Sequence, residues 1–208
     1  YSPRTHEGFW RFLMFRYSFA YDQWLVNIVT SAENLSVVSP LAESLMKDFP
    51  NIVSIVNNIT SRKSGISAGE YEIHLSGARC LKERLGPFVC EDSANSFFQT
   101  NTDGAGNLYN TVKQVADLCV SERVLDLYSG TGTIPIWLSE AAVEIVGIEI
   151  AESAVADARK NCAQNNITNC RFVSGDIRSA LDGIEKKPDV LIIDPPRTGM
   201  HPDVVKQI

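Results

Sequence analysis

The spacing of apolar residues in the N-terminal part of the chain predicts short strands joined by turns. Apolar runs are separated by glycine, proline and polar residues, a pattern typical of strands and the loops between them. One amphipathic helix is predicted over Pro40–Asp48, and a polar loop over Ser61–Gly69. The predicted strands are Phe9–Phe15, Trp24–Thr30, Ile52–Ile59, Tyr71–Leu75, Arg79–Leu85 and Phe97–Asn101. Residues 1–95 are therefore expected to form a small α+β domain with mostly antiparallel strands.

From Thr102 onward the pattern changes to strands that alternate with helices. The first helix of this region has an apolar face formed by Leu108, Val112, Val115, Ala116 and Cys119. The later elements are predicted strands at Val124–Leu127, Val143–Ile148, Cys170–Val173 and Asp189–Ile193, and a predicted helix at Ala151–Asn165. Such alternation favours a parallel sheet covered by helices on both faces, so residues 96–208 are expected to form an α/β domain.

The stretch Val124–Thr133, VLDLYSGTGT, predicts a nucleotide-binding turn between a strand and a helix. Gly130 and Gly132 allow a tight turn and close approach of a ligand to the backbone, and the following helix offers free N–H groups. Pro135 stands where a dinucleotide-binding fingerprint has its third glycine. This departure favours S-adenosylmethionine over NAD as the ligand. The fold class expected is thus a Rossmann-like, S-adenosylmethionine-dependent methyltransferase domain.

Four acidic residues fall at or just after the carboxyl ends of successive predicted strands: Asp126, Glu149, Asp176 and Asp194. Ligands of open α/β sheets bind at that edge, so the four side chains are expected to converge. Asp126 is expected to order the glycine loop by accepting its N–H groups, and Glu149 to accept the ribose hydroxyls. Asp176 is expected to accept from the adenine amino group, and Asp194 to lie nearest the methyl donor. The alternative for each acid is a solvated strand end or a helix cap.

Aromatic residues are dense in the first thirty positions and allow two interpretations. They suit ordinary paired strands, and together with the nearby arginines they also suit a surface on which unpaired bases stack. Composition by itself favours the first interpretation. The residues are Phe9, Trp10, Phe12, Phe15, Tyr17, Phe19, Tyr21 and Trp24, with Arg4, Arg11 and Arg16.

Composition and charge limit the classes of protein to which the chain could belong. The 208 residues carry a formal net charge of −6, which by itself disfavours a nucleic-acid partner, although local patches decide more than the sum. Five cysteines form no CxxC pair and no metal-binding spacing, which favours buried thiols in a reducing, cytoplasmic location and no metal site. No apolar run is long enough to span a membrane, so no membrane association is expected.

Four motifs together resemble the RNA uracil-C5 methyltransferase family, whose members make 5-methyluridine in ribosomal and transfer RNA. They are SFFQTN at Ser96–Asn101, VLDLYSGTGT, VGIE ending at Glu149, and DPPRTG from Asp194. The FFQTN form resembles the ribosomal-RNA branch. Methyltransferases that act on amino nitrogens carry an aromatic residue after a similar D-P-P, whereas Arg197 stands there in this chain.

The resemblance implies a set of functional residues. Those at positions that contact S-adenosylmethionine are Gln99, Asp126, Tyr128, Gly130, Gly132, Thr133, Glu149, Asp176 and Asp194. Those implied on the RNA side are Phe97, which would stack near an extruded uracil, and Asp194, Arg197, Arg11 and Arg16. The implied partner is RNA, in particular ribosomal RNA, and no obligate protein partner is inferred.

The resemblance also implies that catalysis needs residues outside these 208. In the family a cysteine thiolate adds to C6 of uracil, C5 takes the methyl group, and a base removes the C5 proton. That cysteine lies in an S-C-N-P motif after DPPR, so both nucleophile and base are expected beyond Ile208, as are further strands of the sheet. The family's N-terminal barrel is also expected outside this segment. The segment itself is therefore predicted to bind the cofactor without methylating RNA.

Two alternatives remain open at the level of sequence. One is a non-catalytic module that binds RNA or protein on a methyltransferase fold. The other is a methyltransferase whose acceptor is a protein or a small molecule. The Phe97–Gln99 segment ahead of the glycine strand favours an RNA acceptor, whereas the acidic composition weakly favours the other acceptors.

Overall fold

The chain is divided into two compact units by its internal contacts. The computed structural model describes residues 1–2, 4–62 and 69–208, so most of the predicted loop Ser61–Gly69 lies outside the described residues. The first unit comprises Tyr1–Glu83 and Asp92–Asn95, and the second comprises Arg84–Glu91 and Ser96–Ile208. Residues 84–91, expected within the first domain, thus group with the second unit. The division into domains at residues 1–95 and 96–208 stays a prediction.

The first unit is built on a four-stranded mixed sheet. Its strands are β1 (Trp10–Ser18), β2 (Gln23–Thr30), β3 (Ile52–Ile59) and β4 (Tyr71–Gly77), in the order β1-β2-β3-β4. The outer pairs β1–β2 and β3–β4 are antiparallel, and the central pair β2–β3 is parallel. Parallel neighbours need a crossover connection, and α1 (Leu35–Asp48) provides it. The predicted mostly antiparallel sheet is therefore confirmed, with one parallel pairing in its centre.

The crossover helix begins five residues earlier than its apolar pattern predicts. The prediction rested on the helical spacing of Leu41, Leu45 and Met46 and began at Pro40, yet Pro40 lies inside α1. Val38 and Ala42 are buried on this helix and pack against Val26 and Ile28 of β2. Burial of this face holds the first turn of the helix in place despite the backbone donor that Pro40 lacks.

A two-stranded hairpin follows β4 along the chain. Its strands are β5 (Leu81–Leu85) and β6 (Phe88–Asp92), and Gly86 in the turn has a φ of +58°. β5 begins two residues later than predicted, and β6 was not predicted. The predicted strand Phe97–Asn101 is wrong, because this segment is irregular. Phe98 is buried against Leu85 of the hairpin, so the apolar pair Phe97–Phe98 reflects a packing anchor and not a strand.

The second unit contains a parallel sheet with helices on both faces, as predicted. Its strands are β7 (Arg123–Leu127), β8 (Glu144–Glu149), β9 (Cys170–Ser174) and β10 (Val190–Ile193). They lie in the order β10-β7-β8-β9, and every pair is parallel. The helices are α2 (Thr102–Ala116), α3 (Thr133–Leu138), α4 (Glu152–Gln164), α5 (Ile177–Leu181) and α6 (Pro202–Gln207), with a 3-10 turn at Ser139–Ala141. Among the described residues β10 is an edge strand and is only half-buried, whereas its sequence predicts burial on both faces.

The apolar side chains of the central strands alternate between two cores. Leu125 and Leu127 of β7 pack with Ile177 of α5 and Val204 of α6, whereas Val124 packs on the other face among residues of α3 and β8. The predicted face of α2 is wrong in detail. Its buried residues are Ala105 and Tyr109, while Val115 is 80% exposed. The helix ends at Ala116, so Cys119 lies outside it.

Candidate cofactor-binding site

The loop between β7 and α3 has the geometry that its glycines predict. Three of its residues have positive φ: Tyr128 at +67°, Gly130 at +53° and Gly132 at +77°. A Cβ at Gly132 would lie 2.6 Å from the Phe172 ring, so only glycine fits where the loop enters α3. A Cβ at Gly130 would meet nothing within 4 Å. The backbone at Gly130 therefore faces open space, into which a ligand can approach.

Glu149 at the end of β8 holds this loop. Its Oε2 accepts a hydrogen bond from the Gly130 N–H at 3.0 Å, and its Oε1 accepts from the Ala151 N–H at 2.9 Å. The carboxylate thus joins the glycine loop to the turn that leads into α4. Each oxygen of a carboxylate has two lone pairs, so both keep the capacity to accept a further hydrogen bond from a ligand.

The predicted loop-ordering role of Asp126 is wrong. The carboxyl group is 1% exposed, and neither of its oxygens has a hydrogen-bond partner among the described residues. The loop N–H groups of Tyr128 and Ser129 instead donate to the carbonyl oxygen of Ile148 in β8. Burial raises the pKa of Asp126 well above its usual range, and the nearby carboxylates of Asp194 and Glu149 raise that pKa further.

Of the four predicted acids, Glu149 and Asp194 both act electrostatically on Asp126, whereas Asp176 forms a separate contact. Asp176 is the N-cap of α5, where its Oδ1 accepts from the Arg178 N–H at 2.9 Å and its Oδ2 pairs with the Arg178 guanidinium at 2.7 Å. These hydrogen bonds lower the pKa of Asp176 to about 2. Asp194 is exposed immediately after β10. Asp126, Glu149 and Asp194 thus form an acidic cluster at the carboxyl edge of the sheet, and the convergence of Asp176 with them stays a prediction.

Thr133 is engaged by a residue that the sequence analysis missed. Its hydroxyl lies 2.9 Å from the hydroxyl of Tyr109 on α2. Burial raises the pKa of Tyr109, and the hydrogen bond with Thr133 acts in the opposite direction. A tyrosine on an otherwise apolar helix face could have revealed this contact, because the hydroxyl of a buried tyrosine usually needs a hydrogen-bond partner.

The segment implied to carry RNA contacts is anchored by one of its two phenylalanines. Phe97 is 73% exposed, Phe98 is buried beside Ile134 of α3, and Gln99 is partly buried. The packing of Phe98 on α3, the helix that begins at the glycine loop, therefore holds the neighbouring Phe97, whose ring is exposed. Arg197 is exposed in a turn that the hydrogen bond from the Gly199 N–H to the Pro196 carbonyl closes at 2.8 Å.

The sequence analysis also missed a polar stripe on α4, which is formed by Asp157 and Asn161. The Oδ1 of Asn161 accepts from the Glu91 N–H at 2.7 Å, and its Nδ2 donates to the Thr131 carbonyl of the glycine loop at 3.3 Å. One turn earlier, Asp157 accepts from the Ser96 hydroxyl at 2.6 Å. Polar residues four positions apart on an alanine-rich helix were the signal that could have revealed the stripe.

The two arginines implied for RNA contact both bind protein groups within the first unit. Arg11 donates to the Thr60 carbonyl at 2.8 Å and lies over the Tyr1 ring. Arg16 forms an ion pair with Asp92 and donates to the Ala94 carbonyl at 3.1 Å. These contacts indicate a structural role for both arginines, and their contact with RNA stays a prediction.

The aromatic strands β1 and β2 of the first unit are paired, as predicted. They also expose rings: Phe15 and Trp24 line an apolar groove of about 610 Å³ together with Leu45 and Phe49. The use of this surface for base stacking stays a prediction.

Within the described ranges, no group of three or more His, Cys, Asp or Glu side chains is arranged to hold a metal ion. In the same ranges, each helix is too short or too polar to cross a bilayer.

The chain is similar to known methyltransferases. A family described as "Methyltransferase domain" matches residues 120–202. A protein of Chlorobaculum tepidum named as an uncharacterized RNA methyltransferase is 40% identical, over 97% of this chain and 43% of its own length. A protein of the same description from Nitratidesulfovibrio vulgaris is 36% identical, over 97% of this chain and 45% of its own length. The chain thus spans about half the length of the curated relatives it matches.

A solved structure extends the likeness to three dimensions. The tRNA (uracil-54, C5)-methyltransferase of Pyrococcus abyssi, solved in complex with S-adenosyl-L-homocysteine, superposes with a TM-score of 0.76 at 32% identity. The match covers 98% of this chain and 48% of that protein. The predicted resemblance to RNA uracil-C5 methyltransferases and the predicted Rossmann-like, S-adenosylmethionine-dependent methyltransferase fold are therefore both confirmed.

Proposed function

We propose that the protein to which this chain contributes transfers the methyl group of S-adenosylmethionine to C5 of uracil in RNA. The observation that carries the proposal is the Glu149 bridge, which holds a glycine loop open at Gly130 beside an acidic cluster. The family comparisons support an RNA acceptor. The motifs from Ser96 and from Asp194 support uracil C5 within that class.

The residues of the second unit fit the cofactor by type and by position. Glu149 has spare lone pairs for the two ribose hydroxyls, and Asp176 presents an ionised carboxylate that can accept from the adenine amino group. Gly130 and Gly132 allow the ligand to lie close to the backbone. Gln99, Tyr128, Thr133 and Asp194 complete the proposed set. When bound, the cofactor supplies an electrophilic methyl group on a sulfonium ion.

Fewer residues of this segment are proposed to contact the RNA acceptor than the cofactor. A base inside a helix must leave the stack before its ring can be attacked, and an exposed aromatic ring lowers the free energy of extrusion by stacking on the base. Phe97 provides such a ring. The nucleophilic cysteine and the base of the family mechanism are proposed to follow Ile208, so the segment by itself is proposed to be inactive.

The form FFQTN supports ribosomal RNA as the substrate, whereas the solved neighbour is named for tRNA. Both RNAs therefore enter the test. Full-length protein is incubated with S-adenosylmethionine and transcripts that carry tritium at C5 of uridine, because methylation at C5 must displace that hydrogen. We expect tritium release to water from ribosomal RNA, and none from any transcript with the 208-residue chain.

Two outcomes would contradict the proposal. Methyl transfer to RNA without tritium release would place the reaction at another atom. RNA binding by the full-length protein with no methyl transfer to RNA, to protein or to small molecules would favour the non-catalytic binding module. Release from tRNA transcripts alone would keep the reaction and overturn the ribosomal assignment.

A further inference from the structure

One acid at the carboxyl edge of the second sheet is buried without a visible partner. Asp126 is almost completely buried, and both of its carboxyl oxygens are without a hydrogen-bond partner among the described residues. Burial of an ionised carboxylate with no donor costs several kcal/mol. The group therefore requires either a proton of its own or a positive charge brought by a ligand.

The groups that surround Asp126 make its ionised form still less favourable. The carboxylates of Glu149, at the end of β8, and Asp194, after β10, both act on it electrostatically. The other groups that interact electrostatically with Asp126 are the Tyr109 hydroxyl on α2 and the Cys170 thiol on β9, and neither carries a positive charge. The Ser129 hydroxyl of the glycine loop is another buried polar group with no described partner.

The proton in this cluster belongs on Asp126 for a geometric reason. Glu149 is stabilised by two N–H donors, and Asp194 is exposed to water. Asp126 has neither a donor nor solvent. When several carboxyl groups share a site, the least solvated one keeps the proton.

We propose that Asp126 carries a proton while the crevice is empty and releases it when the cationic cofactor binds. This inference rests on the proposed cofactor site. On binding, the O–H bond of the Asp126 carboxyl breaks, its electron pair stays on the carboxylate, and the proton passes to the buffer. The positive charge of the sulfonium and ammonium groups then compensates the new anion.

The sign of the pH dependence follows from linkage. A ligand that prefers the ionised form of a group binds more tightly as pH rises through the pKa of that group in the free protein. Affinity for S-adenosylmethionine is therefore expected to rise with pH, by up to about tenfold per pH unit below that pKa. S-adenosylhomocysteine lacks the sulfonium charge, so its affinity is expected to rise less.

Calorimetry measures the released proton directly. S-adenosylmethionine and S-adenosylhomocysteine are titrated into the chain in two buffers of different ionisation enthalpy at one pH. Wild type is expected to release up to about one proton per S-adenosylmethionine bound. Asp126→Asn keeps the shape of the neutral carboxyl and is expected to release none. Glu140→Gln, at an exposed carboxylate in the 3-10 turn after α3, is the matched control and is expected to keep the release.

Equal proton release by wild type and Asp126→Asn, or no release by a wild type that binds, overturns the inference. The carboxyl ¹³C chemical shift of Asp126 in the cofactor-free wild-type chain gives a test that needs neither a variant nor a ligand. A titration of that shift with a midpoint at or below the ordinary pKa of an aspartic acid overturns the proposed proton even if no cofactor binds. Absence of binding together with a protonated Asp126 would instead locate the failure in the proposed cofactor site.

Discussion

Glu149 shows how one side chain at a strand end can carry two tasks. Sequence position suggested a ribose acceptor, and the structure adds that the same carboxylate holds the glycine loop through Gly130 and the start of α4 through Ala151. Hydrogen bonds to an ionised acceptor are about twice as strong as neutral ones. Loss of this carboxylate should therefore affect ligand binding more than the overall fold.

The corresponding variant is Glu149→Ala. We expect it to weaken S-adenosylhomocysteine binding by about 2 kcal/mol or more, because it removes charge-assisted bonds both to the ligand and to the loop that faces it. Calorimetric titration measures the change. Glu140→Ala removes an exposed carboxylate at the other end of α3 and should leave the affinity unchanged. Equal affinities of wild type and Glu149→Ala would remove Glu149 from the site.

At the scale of elements, side chains at the end of α4 make the hydrogen bonds with β6 that a further strand would otherwise make. Asn161 pairs with the N–H of Glu91, and Asn165 accepts from the N–H of Val89 at 3.0 Å and donates to the carbonyl of Val89 at 2.7 Å. Two asparagines one helical turn apart thus satisfy alternate residues of an edge strand. The backbone groups of a short hairpin are stabilised without a third strand.

This arrangement makes Asn161→Ala a strong test of the α4 stripe. The asparagine is completely buried, and the variant removes the partners of Glu91 and of the Thr131 carbonyl together. We expect a loss of about 2 kcal/mol or more in the free energy of unfolding, measured by urea denaturation. Asn107→Ala, on the exposed surface of α2, should change stability by less than about 0.5 kcal/mol. Similar values for the two variants would contradict a structural role of the stripe.

For the whole molecule, the division into two units gives a prediction about ligand stabilisation. A ligand that binds only the native second unit raises its stability by about 2.7 kcal/mol at a concentration one hundred times Kd. We expect S-adenosylhomocysteine to slow hydrogen exchange of β7 and β8 and to leave β2 and β3 unchanged, as read by mass spectrometry. Equal protection of all four strands would show that the two units unfold as one cooperative body.

The sequence determined the elements whose pattern is set locally. Alternation of strands and helices after Thr102 was sufficient for the parallel sheet, because each strand is short, apolar and followed by a helix. The glycine loop could also be predicted from the sequence, since Gly132 admits no side chain and its φ of +77° favours glycine. The acids at the strand ends followed from the same topology.

Only the tertiary structure decided what those residues contact. Asp126 and Glu149 both lie near the carboxyl ends of neighbouring strands, yet the buried Asp126 is left without a partner, whereas Glu149 accepts from two N–H donors. Phe97–Asn101 has the composition of a strand, but Phe98 packs into a core and no described strand pairs with the segment. α1 continues past Pro40 because its buried face lies on the sheet. Local pattern fixes which elements form, whereas burial and pairing between distant residues assign each side chain its partner.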